Sequence, residues 1–207
     1  MTGVPSPVQR PSIAEVFARQ GFVLVNRLAP PPMVALARQY LETRLEEGTI
    51  ILDDIQVPST PCVYGGLLDG LMEELRPRIE FCSGLKLFPT YSYGRLYKNG
   101  DVLPPHRDRV ACEISVSINL GQSPEDPWAL YLRAAESDVA ILLRPGDALL
   151  YRGIELTHWR EPFGGEKLAQ IFLHYVNQAG PHAEEKFDRR PALAMPFGTR
   201  PVRPKNP

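Results

Sequence analysis

Polar and apolar residues alternate through the second half of this chain, whereas in the first half apolar residues recur three and four positions apart. Alternation puts successive side chains on opposite faces of a strand, and the helical period puts them on one stripe. In CEISVSINL, Ile114, Val116, Ile118 and Leu120 share one face, and Glu113, Ser115, Ser117 and Asn119 share the other. PTYSYGRLYKNGD alternates as well and ends in the turn signal Asn99-Gly100. PWALYLR and KLAQIFLHYVN read as further strands. DVAILLRPGDALLYRG reads as two strands joined by the turn Arg144-Pro145-Gly146-Asp147. Many short strands with frequent turns predict a sandwich or a barrel.

The first half predicts helices around a single strand. Ser12 is placed to cap the helix SIAEVFARQ, which Gly21 ends, and the strand GFVLVNRL follows. The prolines at 30–32 open the helix PPMVALARQYLETRLEEG, with Val34, Leu36, Ala37, Leu41 and Leu45 roughly on one face. A third helix is predicted from Gly70 to Phe81, interrupted or divided by Pro77. Proline clusters at Pro5, Pro7 and Pro11, and again at Pro191, Pro196, Pro201, Pro204 and Pro207. These clusters predict a flexible tail over 1–11 and a Pro-rich tail over 181–207. Between them lies one domain, 12–180, with a helical part at 12–87 and a β core at 88–177. The fold class expected is mainly β with N-terminal helices.

Charge and cysteine content remove several classes of function. Lys+Arg number 23 against Asp+Glu 24, a balance that suits neither a nucleic acid nor a membrane surface as main partner. Cys62, Cys82 and Cys112 lack the spacing of a disulfide framework or of a cysteine zinc site. No stretch has the apolar length of a membrane span, and the N-terminus has no apolar signal-peptide run. The expectation is a soluble, cytoplasmic protein.

The chemistry begins at LPPHRDRV. His106 and Asp108 are two apart, so on a strand both side chains point to one side. His158, after the predicted strand ALLYRG, is placed to reach back toward them. His174, inside the last strand, reads as packed or surface-facing, and His182 lies near the tail. Two imidazoles and one carboxylate on one face of an ion leave its opposite face open, which suits iron(II), oxygen and a chelating cosubstrate. Lys167, nine residues after His158, and Tyr97, nine before His106, are candidates to hold the far carboxylate of such a chelator.

The series Tyr97…His106-x-Asp108…His158…Lys167 resembles the iron(II)/2-oxoglutarate dioxygenases, on their prolyl 4-hydroxylase-like branch. PGDALLYRGIELTHW resembles the strand leading to the distal histidine of that superfamily, and the likeness runs from Gly21 to Val176. It implies a double-stranded β-helix, a jelly-roll or cupin-like barrel. It implies Fe(II) held by His106, Asp108 and His158, and 2-oxoglutarate anchored by Lys167 and Tyr97 and lined by Ser117. It also implies O2 as the oxidant and release of succinate and CO2. The related halogenases lack the carboxylate at the Asp108 position, so its presence implies hydroxylation.

Tyr91, Tyr93, Arg95 and Tyr97 share one strand face and would line a polar pocket, in which register decides which tyrosine meets the cosubstrate. Arg95 is placed to grip a substrate carboxylate, and Glu113 a substrate amine. The substrate is expected to be an amino-acid-like, prolyl or peptidyl compound or a small metabolite. The alternative is a cupin-type protein that binds a metal or small acid without 2-oxoglutarate or without catalysis.

Overall fold

The computed structural model describes residues 10–48, 56–57, 60–135, 137–193 and 195. The expected tail at 1–11 lies almost wholly outside the described residues. Helix α1, Ile13–Gln20, starts at Ser12, whose hydroxyl and Glu15 carboxylate satisfy each other's backbone N–H in a capping box. Gly21 ends it in the left-handed conformation (φ 79°), which glycine adopts without a steric penalty. Strand β1, Phe22–Val25, leads to α2, Pro31–Glu46, which opens on proline as expected. Helix α3, Leu67–Ser83, is longer than expected and continuous through Pro77. Pro77 faces solvent, where water can take the carbonyl that its missing N–H leaves free.

The remaining strands are β2 Cys62–Tyr64, β3 Leu87–Lys98, β4 Leu103–His106, β5 Ile114–Ser123 and β6 Leu130–Arg133, then β7 Asp138–Ile141, β8 Ala148–Tyr151, β9 His158–Arg160 and β10 Lys167–Asn177. A six-stranded sheet runs β1-β8-β5-β10-β3-β2, and a four-stranded sheet runs β4-β9-β6-β7. Every strand pair described is antiparallel. This is the jelly-roll architecture of a double-stranded β-helix. The Arg144–Asp147 turn forms, with Gly146 at φ 87° and the Asp147 carboxylate accepting from Arg144 N and Arg27 N. It carries the chain from one sheet to the other rather than closing a hairpin.

The large sheet has two buried faces. Ile114, Val116, Ile118 and Leu120 of β5, with Ile171, Leu173 and Tyr175 of β10, pack against Phe17, Leu41, Met72 and Leu75 of the helices. Tyr175 donates its hydroxyl hydrogen to Met72 O at 2.7 Å, tying β10 to α3. At Gly94 of β3 a Cβ would collide with Leu41, so glycine lets α2 lie close on the sheet. The other face looks across to the four-stranded sheet and carries polar residues.

The C-terminal part is not all tail. Residues Ala183–Arg189 form a kinked 3-10 segment with Glu185 buried beneath it. Arg190 is also buried and donates to Thr90 O of β3 at 3.0 Å and to Met195 O at 2.6 Å. A guanidinium that bonds several carbonyls fixes this described stretch. All three cysteines are free thiols, and among the described residues no helix is long and apolar enough to cross a membrane.

Candidate active site

His106 and His158 end up opposite each other because β4 and β9 pair antiparallel, with His106 and His158 as Cα partners. Their ring centroids are 4.2 Å apart. Each ring places Nδ1 at a backbone carbonyl, His106 on Pro104 O at 2.8 Å and His158 on Leu156 O at 3.0 Å. A carbonyl only accepts, so both Nδ1 atoms carry the proton and both Nε2 atoms present lone pairs. Those Nε2 atoms lie 3.7 Å and 3.6 Å from Asp108 Oδ1. A cation about 2 Å from each donor bridges gaps of this size. Burial holds His158 below the usual histidine range, and the Asp108 carboxylate opposes this in part, so the ring is a neutral ligand.

Asp108 is fixed from three sides. Its N–H donates to Gly153 O at 2.9 Å, and its Oδ2 accepts from Ser115 Oγ at 2.8 Å. Gly153 fits only as glycine, since a Cβ there would strike Asp108 Oδ2 and come within 2.7 Å of Ser115 Oγ. Asp108 also lies near Cys112 and His174, a second grouping of possible ligands. That set is the poorer one. Burial pushes the Cys112 thiol far up, so it stays protonated, and Tyr91 Oη already lies 3.1 Å from its sulfur.

The side chains of His106, Asp108 and His158 line a narrow cavity between the sheets. Ser117, Tyr93, Arg95 and Tyr97 line it, as the alternation of β3 and β5 predicts. Arg95 donates to Tyr97 Oη at 2.6 Å. Tyr91 does not line the cavity; its ring is stacked on Tyr93 and tilted against His174.

Two further expected residues are elsewhere. Lys167 points to the helix side and pairs with Glu42 of α2 at 3.0 Å, its side chain 41% exposed. It shares a face with Ile171 and Tyr175, not with Gln170 and His174, because alternation along β10 puts it there. Glu113 is buried but bonds Asn177 N at 2.9 Å, closing the end of β10 away from the cavity.

Sequence reasoning missed Arg160 and His174. Arg160 is 2% exposed and sits two residues after His158, on the same side of β9. It donates to Trp128 O at 2.6 Å and to Gln170 Oε1 at 2.8 Å, and its guanidinium lies 4.5 Å over the Trp128 ring. Burial, with the nearby charge of Arg95, lowers its pKa to about 10, so it remains a cation at neutral pH. None of its hydrogen-bond partners among the described residues is a carboxylate. The signal for it was parity with His158. His174 is 2% exposed and lines the cavity, with Nδ1 3.0 Å from Ser115 Oγ. Burial lowers its pKa to about 4, so it is neutral.

No family model and no curated protein matches the chain. Solved structures do match. A Pseudomonas putida prolyl-4-hydroxylase is similar at 17% identity and TM-score 0.63, over 78% of this chain and 96% of that one. A Trichoplax adhaerens prolyl hydroxylase, solved with a hypoxia inducible factor peptide fragment, is similar at 14% identity and TM-score 0.67, over 80% and 88%. A non-heme alpha-ketoglutarate-dependent epimerase from nogalamycin biosynthesis is similar at 16% identity and TM-score 0.68, over 93% and 95%. The fold of this chain is thus the fold of the 2-oxoglutarate/Fe(II) oxygenases.

Proposed function

We propose that the chain is an Fe(II)- and 2-oxoglutarate-dependent dioxygenase. On this reading it hydroxylates an unactivated C–H bond of an amino-acid-like, prolyl or peptidyl compound or a small metabolite. The observation that carries the reading is one cavity holding both a preformed two-histidine, one-carboxylate donor set and a buried arginine with no acid partner among the described residues. His106, Asp108 and His158 would hold the iron, whose chemistry when bound is to activate O2 while the 2-oxo acid loses CO2. Arg160 would pair the far carboxylate of 2-oxoglutarate, in the role expected of Lys167. Ser117, Gln170 and Tyr97 would surround that carboxylate. Arg160 is held in place by Trp128 and Gln170, so its donors are oriented before the diacid arrives. The buried walls exclude water from the charge pair and strengthen it. Tyr93 and Arg95 would face the primary substrate.

A cupin-type protein that uses no 2-oxoglutarate has no use for Arg160, and this weighs against the alternative. The deciding experiment is anaerobic addition of Fe(II) and then 2-oxoglutarate, followed by the visible charge-transfer band of the chelate. Oxygen is then admitted and succinate is measured. The wild type is expected to give the band and succinate, and His106→Ala neither. Absence of iron-dependent 2-oxoglutarate binding in the wild type would overturn the reading.

A further inference from the structure

His174 Nε2 is buried, lines the cavity and has no hydrogen-bond partner among the described residues. Its state follows from its neighbours. Ser115 Oγ has one hydrogen and lies 2.8 Å from Asp108 Oδ2, 3.2 Å from Cys112 O and 3.0 Å from His174 Nδ1. The carboxylate and the carbonyl only accept, and the charge-assisted bond to Asp108 is the strongest use of that hydrogen. Given to His174 instead, it would leave Ser115 and Asp108 facing each other with lone pairs. Nδ1 therefore carries the imidazole proton and donates to Ser115. Nε2 is left as an unpartnered lone pair on a ring that lines the cavity.

The ring cannot turn to satisfy that atom. Tyr91 and Tyr93 lie against it, with centroids 4.6 Å and 5.7 Å from its own. A buried acceptor is normally paired, and an orphan in a cavity wall marks the place where a ligand supplies the missing donor. The far carboxylate of a diacid cannot, because it has no hydrogen to give. That carboxylate also belongs beside Arg160 and Gln170, and Gln170 lies about 13 Å along β10 from His174 at some 3.3 Å per residue. The vacant acceptor is thus at the primary-substrate end.

We propose that His174 Nε2 accepts a hydrogen bond from a hydroxyl or N–H group of the primary substrate, which restricts substrates to compounds carrying such a donor near the carbon to be oxidised. The inference rests on the reading of this cavity as the reaction site. It also gives Ser115 two tasks, since one hydroxyl orients both the metal-binding carboxylate and the substrate-binding imidazole.

The test is nitrogen-15 NMR of full-length, histidine-labelled protein loaded with Zn(II) and 2-oxoglutarate, with His174→Gln used to assign the His174 signals. Two pairs of probes are titrated. N-methylacetamide is matched with N,N-dimethylacetamide, which has no N–H, and 2-propanol with its methyl ether, which has no O–H. The expected spectrum shows His174 protonated at Nδ1 only. Its Nε2 resonance is expected to move upfield, saturably, with a donor probe and to stay fixed with the matched control. Whichever donor acts tells hydroxyl from N–H substrates.

A proton on Nε2, a Zn(II) shift at Nε2, or no response to either donor would each overturn the proposal. Failure of the metal reading has a separate signature, namely His106 and His158 resonances that Zn(II) leaves unmoved.

Discussion

Arg160 carries a charge into a site where its partners among the described residues are the Trp128 and Tyr97 rings, the Gln170 amide and a backbone carbonyl, none of them an acid. A buried cation without an anion is costly, and a bound carboxylate would recover that cost. Arg160→Gln is therefore expected to weaken 2-oxoglutarate binding about 10- to 100-fold, the range of one charged hydrogen-bonding pair. Its effect on Fe(II) affinity should be small. Lys167→Ala should leave both unchanged, because its partner is Glu42 on the outer side of the sheet. Titration of the anaerobic iron protein with 2-oxoglutarate measures all of this, and a reversed ranking of the two variants would return the anchor to Lys167. The grouping of His106, Asp108 and His158 was legible because their residue types and spacing are rare in the chain. The lysine was misplaced because an offset of nine residues says nothing about which face a strand turns inward. Parity does: with Gln170, Phe172 and His174 facing the cavity, Lys167 must face away.

At the level of elements, the alternating strands β3, β5 and β10 were readable from pattern, and so were the helices α1 and α2. The strands that carry His106 and His158 were not. β4 contains two prolines and β9 has three residues, so neither holds enough alternation to be seen. They exist because they pair with each other and with β6. The loop after β8 is equally silent in sequence, yet Gly153 leaves room for the Asp108 carboxylate. Gly153→Ala should push that carboxylate off its bond to Ser115. Metal affinity is expected to fall at least about tenfold, with roughly 1–3 kcal/mol of stability lost to overpacking. Fe(II) or Zn(II) titration and thermal unfolding check the two effects. Unchanged metal binding would show that the loop gives way without moving Asp108.

Across the whole molecule, the class of fold was apparent from helices followed by many short strands, while its connections were not. The Arg144–Asp147 turn looks the same in sequence whether it closes a hairpin or crosses between sheets. Only long-range pairing of β8 with β1 and β5 decides the matter. The described start of the C-terminal segment, up to Arg190, differs for the opposite reason, since the expected tail was inferred from composition and a single buried Arg190 ties this stretch to β3.

The pairing of His106 with His158 has a mechanical side. β4 is the edge of the small sheet, and its register with β9 is broken by a bulge between Leu103 and His106. An ion bound by both histidines would act as a removable cross-link between two distant points of the chain, closing a long loop much as a disulfide does. Chelation should then loosen one margin of the protein while the helix-backed sheet stays shut. Amide exchange at β4 and β9 is expected to rise on metal removal while exchange in β5 and β10 holds. Uniform exchange would mean that the ion staples nothing.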